Sequence, residues 1–157
     1  MEYYWFIHFG PNTFTDKEWG HGDEPEDIFN PTELDCRQWA RVAKQAGAKG
    51  IIITAKHHDG FCLWDSGLTD FDVASTPFKR DILKELSAAC KKEDVRFCTY
   101  HSIMDWHHPD YLPRRDWEKN RSPEGAEFNR FRKYLEGQLS EIVADYNPGV
   151  LWFDGEW

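Results

Sequence analysis

The chain has 157 residues, carries 28 Asp and Glu against 19 Lys and Arg, and has a formal charge of -9. That length is one domain or part of one, and so acidic a balance speaks against nucleic acid or an anionic membrane as the main partner, since both need basic surface. No apolar stretch approaches the roughly 20 residues of a bilayer span, and no signal peptide is visible.

Met1-Glu2 runs almost directly into a first apolar run, Tyr4-Trp5-Phe6-Ile7-His8, so a trimmed natural start is expected. This run reads as a strand in which Phe6 and Phe9 look buried. A long loop, about residues 9 to 34, follows. Helix one is expected to start at Asp35, with Gln38 three residues on as capping-box partner. Trp39, Val42, Ala43 and Ala46 mark its buried stripe, and Gly47 its stop. The second strand, Gly50-Ile51-Ile52-Ile53-Thr54, leads into Lys56-His57-His58-Asp59 and a loop to about residue 80. Helix two begins near Asp81, with Ile82, Leu83, Leu86, Ala89 and Cys90 as its stripe and Lys91-Lys92 suiting its C-terminal dipole. The third strand is Val95 to His101, followed by a loop to about residue 123. Helix three spans about residues 124 to 146, with Phe128, Phe131, Leu135, Leu139, Ile142, Val143 and Tyr146 as its stripe and Asn147-Pro148-Gly149 as its end. The fourth strand is Val150-Leu151-Trp152-Phe153-Asp154.

Strands alternating with helices imply a parallel sheet. Long loops after the strands and short returns from the helices match the asymmetry of a (β/α)8 barrel. Four βα units make half of such a barrel, which typically needs about 250 residues. The sequence is therefore expected to be the N-terminal half of a TIM-barrel catalytic domain, residues 1–157. The competing architecture is a small doubly wound domain. In a parallel sheet the strand C-termini share one end, so His8, His57, His58, Tyr100, His101 and Asp154 should converge on one patch.

Aromatic residues make up 16% of the chain, with eight Trp. Many lie in polar loops: Trp19, Trp64, Trp106, Trp117 and Trp157. A Trp beside polar groups suits a sugar ring, whose C–H face stacks on the aromatic plane. The sharpest constellation is Ala55-Lys56-His57-His58-Asp59-Gly60-Phe61, whose imidazoles can both donate and accept bonds to vicinal hydroxyls. The same His and Asp residues are also metal-ligand types. Asp154 closes an apolar strand, where a carboxylate is costly unless paired or used. It suits a glycosidase nucleophile or the N-cap of a following helix. Glu156, two residues on, reads as a ligand-contacting or structural acid. His8 alone could be a core residue, and Glu18 a solvated acid beside a packing Trp19. The loop Asp105-Trp106-His107-His108-Pro109-Asp110-Tyr111 could line the rim or be ordered surface. Cys36, Cys62, Cys90 and Cys98 form no close pair and read as buried free thiols.

With these residues in hand, the chain resembles the α-L-fucosidases of glycoside hydrolase family 29. The matching segments are Trp5 to Gly10, Glu18-Trp19, Ala55 to Phe61, Tyr100-His101-Ser102 with Asp105-Trp106, and Leu151 to Gly155. They appear in the family's order and cover essentially the whole sequence. The resemblance implies a retaining mechanism with Asp154 as nucleophile, and His8, Glu18, Trp19, His57, His58 and Tyr100 as fucose contacts. It implies a fucosylated glycan substrate, no metal or organic cofactor, and a secreted, periplasmic or lysosomal setting. It puts the general acid/base beyond Trp157, so these residues alone are expected to be at best weakly active. A non-catalytic sugar-binding protein and a metal-dependent barrel hydrolase using His8, His57, His58 and Asp154 are the readings left open.

Overall fold

In a computed structural model of the chain, residues 2–155 are described. Four strands, β1 (Tyr4–Ile7), β2 (Gly50–Lys56), β3 (Arg96–Ser102) and β4 (Leu151–Asp154), form one sheet in sequential order with every pair parallel. Helices α1 (Cys36–Gln45), α2 (Ile82–Glu93) and α3 (Phe128–Tyr146) make the crossovers. All three contribute to a single core against one face of the sheet, where Ile51, Ile53, Ala55 and Phe97 meet Ala40, Ala43, Leu83, Leu86 and Ile142. A sequential parallel sheet with its helices on one side is the α/β arrangement of a TIM barrel, not of a doubly wound sheet, which carries helices on both.

Helix starts follow local chemistry. Asp35 Oδ1 caps α1 by accepting from the Arg37 and Gln38 backbone N–H groups at 2.9 and 3.1 Å. Asp81 caps α2 through the Lys84 N–H at 2.8 Å. Gly47 ends α1 in the left-handed region at φ 80, where a side chain would be strained. The stripe of α2 is the expected one. That of α1 is shifted: Cys36, Ala40 and Ala43 are buried, whereas Val42 and Ala46 are exposed. Small residues face inward there because α1 packs closely on α2.

Helix α3 begins later than its periodicity suggests. Gly125 sits at φ 78, outside helical space. The buried Asp110 accepts from the Glu127 N–H at 2.9 Å and holds the Arg130 guanidinium at 2.6 and 2.8 Å, fixing the first turn from a distant loop. The buried residues of α3 are Phe131, Gln138 and Ile142, while Phe128 and Val143 are exposed. Gln138 is held by the Tyr134 hydroxyl at 2.7 Å and the Cys62 thiol at 3.1 Å. Glu141 on α3 ties down the β2–α2 loop, accepting from Trp64 Nε1, Ser66 Oγ and the Gly67 N–H, each at 2.9 Å. Trp64 is therefore core, fully buried, and not a sugar platform. All four cysteines are buried and free.

The other face of the sheet is thinly covered. Ile52, Cys98 and Tyr100 cluster with Tyr4. Phe6 packs edge-on against Tyr100 and Trp152, with ring centres 5.7 and 6.0 Å away. Phe6 is 48% exposed, which corrects the expectation that it is buried; Phe9 is half-buried under the helices beside Phe29 and Trp39. Phe6 points to the face that no helix covers.

Candidate active site at the strand C-termini

The local geometry of β2 decides where each residue of its polar run goes. Thr54 pairs with Tyr100, but the next pairing is Lys56 with His101, so Ala55 is an extra residue and the strand bulges. A bulge re-aims the side chains after it. Lys56 consequently turns to the helical side, fully buried, with Nζ 2.9 Å from Asp105 Oδ2 and 5.7 Å from the Tyr134 ring centre. His57 then falls on the open side. Its ring lies 4.4 Å from that of His8, 4.1 Å from that of His58 and 5.6 Å from that of Tyr100, stacked on the last. Thr54 Oγ1 steadies the end of β1 by accepting from the Phe9 N–H at 3.0 Å and donating to the Phe9 carbonyl at 2.9 Å.

Register brings the carboxylate to the same place. Ser102 on β3 is directly opposite Asp154 on β4. Tyr100 Oη donates to Asp154 Oδ2 at 2.7 Å, and the Gly155 N–H donates to Oδ1 at 2.8 Å. His58 Nδ1 shares a 2.6 Å hydrogen bond with Ser102 Oγ, and its Nε2 stands 4.0 Å from Asp154 Oδ2. Gly155, at φ 89, lets the chain turn away; a Cβ there would meet Met104 Cγ at 2.8 Å.

Five of the expected site residues, His8, His57, His58, Tyr100 and Asp154, thus adjoin one another through rings and hydrogen bonds. Trp19 stands beside them across Trp106, with ring centres 6.0 Å apart, and Trp106 is 5.3 Å from His58. Glu18 lies on the exposed rim and acts on His8 through its charge. His101 does not join the patch. It alternates with Tyr100 along β3 and is fully buried on the helical side, 6.2 Å from the Trp64 ring. Of the loop after β3, Trp106 reaches the site. Asp105 serves Lys56, Asp110 anchors α3, and His107 Nδ1 bonds the Gly22 carbonyl at 2.9 Å. Glu156 and Trp157 lie outside the described residues. Sequence reasoning gives Met104 and Arg115 no role, and Ser102 only membership of the Tyr100-His101-Ser102 segment; its position two after Tyr100 on one strand is the signal that places it in the site.

Burial sets the protonation of the imidazoles. It pushes His57 down to about 3, with His58 and His8 adding repulsion. It pushes His58 down to about 4 against the opposing pull of Asp154. His8 is lowered too, by burial against the pull of Glu18. All three are neutral at pH 7 and able to donate through one nitrogen and accept through the other. His57 Nδ1 is buried and has no hydrogen-bond partner among the described residues. Burial and the bond to Asp154 raise the Tyr100 hydroxyl, which stays a donor.

Next to this cluster lies a hollow of about 370 Å³ that takes in Trp19, His58, Trp106 and Trp117. A larger cleft, about 870 Å³, sits between α1 and α2, where Arg37, Arg80 and Lys84 line it. Its lining contains none of the strand-end residues and no imidazole or phenol. Among the described residues no three His, Cys, Asp or Glu side chains are grouped to hold a metal ion, and no helix is long and apolar enough to cross a membrane.

The chain is similar in sequence and fold to known proteins. A family model described as Alpha-L-fucosidase matches residues 4–157. Alpha-L-fucosidase 1 of Arabidopsis thaliana is 41% identical over 154 residues, covering 96% of this chain and 28% of its own length. Among solved structures, alpha-L-fucosidase isoenzyme 1 from Paenibacillus thiaminolyticus superposes with a TM-score of 0.89 at 38% identity, covering 99% of this chain and 41% of that one. A glycoside hydrolase 29 family member from an unknown rumen bacterium superposes with a TM-score of 0.86 at 43% identity, covering 100% and 26%. The chain thus spans between about a quarter and two-fifths of the length of these relatives. Matched by the family model over residues 4–157 and superposed over its whole length on a glycoside hydrolase 29 member, this chain belongs to the α-L-fucosidase family, glycoside hydrolase family 29.

Proposed function

We propose that these residues form the nucleophile half of a retaining α-L-fucosidase that removes terminal α-L-fucose from glycoconjugates. Residues 1–157 are then the first four units of its barrel catalytic domain, in keeping with the share of each relative that the chain matches. Asp154 attacks the anomeric carbon as the bond to the leaving oxygen breaks, giving a covalent fucosyl-enzyme that water later hydrolyses. The leaving oxygen takes its proton from an acid outside these residues.

The observation that carries the reading is the Asp154 carboxylate, one-third exposed, hydrogen-bonded by Tyr100 at 2.7 Å and facing His58 at 4.0 Å beside a hollow walled by tryptophan. Tyr100 and the Gly155 N–H fix the orientation of the nucleophile. Neutral His8, His57 and His58 bond the ring hydroxyls. Such bonds strengthen as oxocarbenium charge develops. Trp19 packs on the apolar side of the sugar near its methyl group, and Glu18 accepts from a hydroxyl at the rim.

The test is hydrolysis of an aryl α-L-fucoside by the protein expressed from its full reading frame, with Asp154→Gly as the variant. Turnover is expected to fall on the order of a thousandfold or more. Added azide should restore it and give the inverted β-fucosyl azide, because the small anion takes the place of the carboxylate. An unchanged rate in the variant refutes the role of Asp154. A protein that binds fucose but turns over no fucoside in either form is a sugar-binding protein instead.

A further inference from the structure

The hollow beside the nucleophile cluster contains a cation with no ionic partner among the described residues. Three arginines lie on the β3–α3 loop. Arg114 and Arg121 are committed: both meet the buried Glu118, at 3.5 and 3.1 Å, and both donate to backbone carbonyls, Arg114 to Tyr111 and Arg121 to Trp106 and His107. Arg115 is not. Its guanidinium carbon lies 5.3 Å from the Trp106 ring centre, and Nη2 meets the Met104 thioether at 3.1 Å. Its other side-chain contact is the Tyr111 hydroxyl. Its Nε is buried without a hydrogen-bond partner, and among the described residues no carboxylate stands within 4.0 Å of it. A thioether is a weak acceptor, so most of the donor capacity of this guanidinium is unspent. The side chain is half-buried, and it lines the same hollow as His58, Trp106, Trp117 and the exposed Asp116, with which it forms no ion pair.

We propose that Arg115 receives an anionic group, a carboxylate or a sulfate ester, on the part of the substrate to which the fucose is attached. The inference rests on the fucosidase reading, and it names the substrate class: fucosides of acidic sugars. Three features support it. His58 and Trp19, the fucose contacts, line one part of the hollow and Arg115 lines another with Trp117, so a group held by Arg115 lies beyond the fucose ring, on the sugar to which it is attached. Trp117, half-buried in the wall of the hollow, can stack on a second sugar. An arginine left unpaired in a chain of charge -9 is a specific feature, since acids outnumber bases by 28 to 19 and could have neutralised it.

The experiment compares three aryl α-L-fucosides whose phenyl ring is neutral, carboxylated or sulfated, using the protein from its full reading frame. The wild type should show a kcat/KM about tenfold higher for at least one anionic substrate than for the neutral one, the size of one charge-assisted bond. Which of the two anions gains identifies the source. That preference should shrink as salt is raised from about 0.05 to 0.5 M, a readout that needs no variant. Arg115→Gln should bring the ratio close to one, and Arg115→Lys should keep part of it. Equal rates on all three substrates, or a preference that survives both salt and Arg115→Gln, overturn the proposal and leave the fucosidase reading standing. No hydrolysis of the neutral substrate overturns both.

Discussion

On one face of the sheet Ile51, Ile53, Ala55 and Phe97 are sealed beneath three helices; on the other, Tyr4, Phe6, Ile52, Cys98, Tyr100 and Trp152 form a thin aromatic layer in which Phe6 and Trp152 are about half exposed. The first face gains its stability from apolar area removed from water. The second keeps its polar groups within reach of a ligand. The run Lys56-His57-His58-Asp59 shows the division at the scale of single residues. The bulge at Ala55 sends Lys56 to the sealed side, where it needs Asp105, and His57 to the open side beside His8 and Tyr100. Four adjacent polar residues therefore split into structural groups, Lys56 and Asp59, and groups with bonding capacity to spare.

The largest effect should come from breaking the sealed side's ion pair. Lys56→Met leaves Asp105 buried without its cation and should cost about 3–5 kcal/mol of stability in urea unfolding. Adding Asp105→Asn should recover most of it, because the uncompensated charge is gone. Next, Ile53→Ala should cost about 2–5 kcal/mol, while Phe6→Ala, half exposed on the opposite face, should cost about 1–2 kcal/mol. Equal costs would erase the contrast between the faces. On the open side, Tyr100→Phe removes the bond that orients Asp154 and should lower kcat roughly 10- to 100-fold with little change in urea midpoint.

The pH dependence of stability separates two further groups, which should act with opposite sign. His57 and His58 titrate near 3 and 4 when folded against 6.5 unfolded. Between those values the unfolded chain takes up protons that the folded chain refuses, so stability falls as pH drops through that window. His57→Gln should flatten the acid side of the profile. Asp59 is fully buried and raised to about 7, by burial and by Glu24 and Asp105, against the Phe61 N–H and Lys56. It is protonated when folded and ionised when unfolded between 3.8 and 7, so its contribution fades as pH rises through that range. Asp59→Asn, which can still accept from the Phe61 N–H, should match the wild type near pH 4 and exceed it above pH 7.

What could be read from sequence follows the same division. The stripe of α2 was legible because large apolar residues at regular spacing leave one way to bury them. The stripe of α3 was less so: Gln138 is buried because Tyr134 and Cys62 supply partners from elsewhere, and Phe128 is 71% exposed at a helix start fixed by Asp110. In the site, the strand ends supplied five residues that do meet, since parallel strands must share an end. His101 departs from that expectation because alternation along β3 sends it to the face opposite Tyr100. The bulge at Ala55 leaves no mark in the residue pattern, and Arg115 acquires its place only from a loop that folds back over Trp106.

The account stands on Asp154 as the group that bonds to the sugar. A fucosyl fluoride carrying fluorine at C2 slows breakdown of the glycosyl-enzyme and lets it accumulate, so incubation with the full-length protein followed by digestion and mass spectrometry locates the bond. The expected result is one fucosyl adduct, on the peptide containing Leu151 to Gly155 and on Asp154 within it. An adduct on a different carboxylate, or rapid turnover of ordinary fucosides with inversion at the anomeric carbon, contradicts the account.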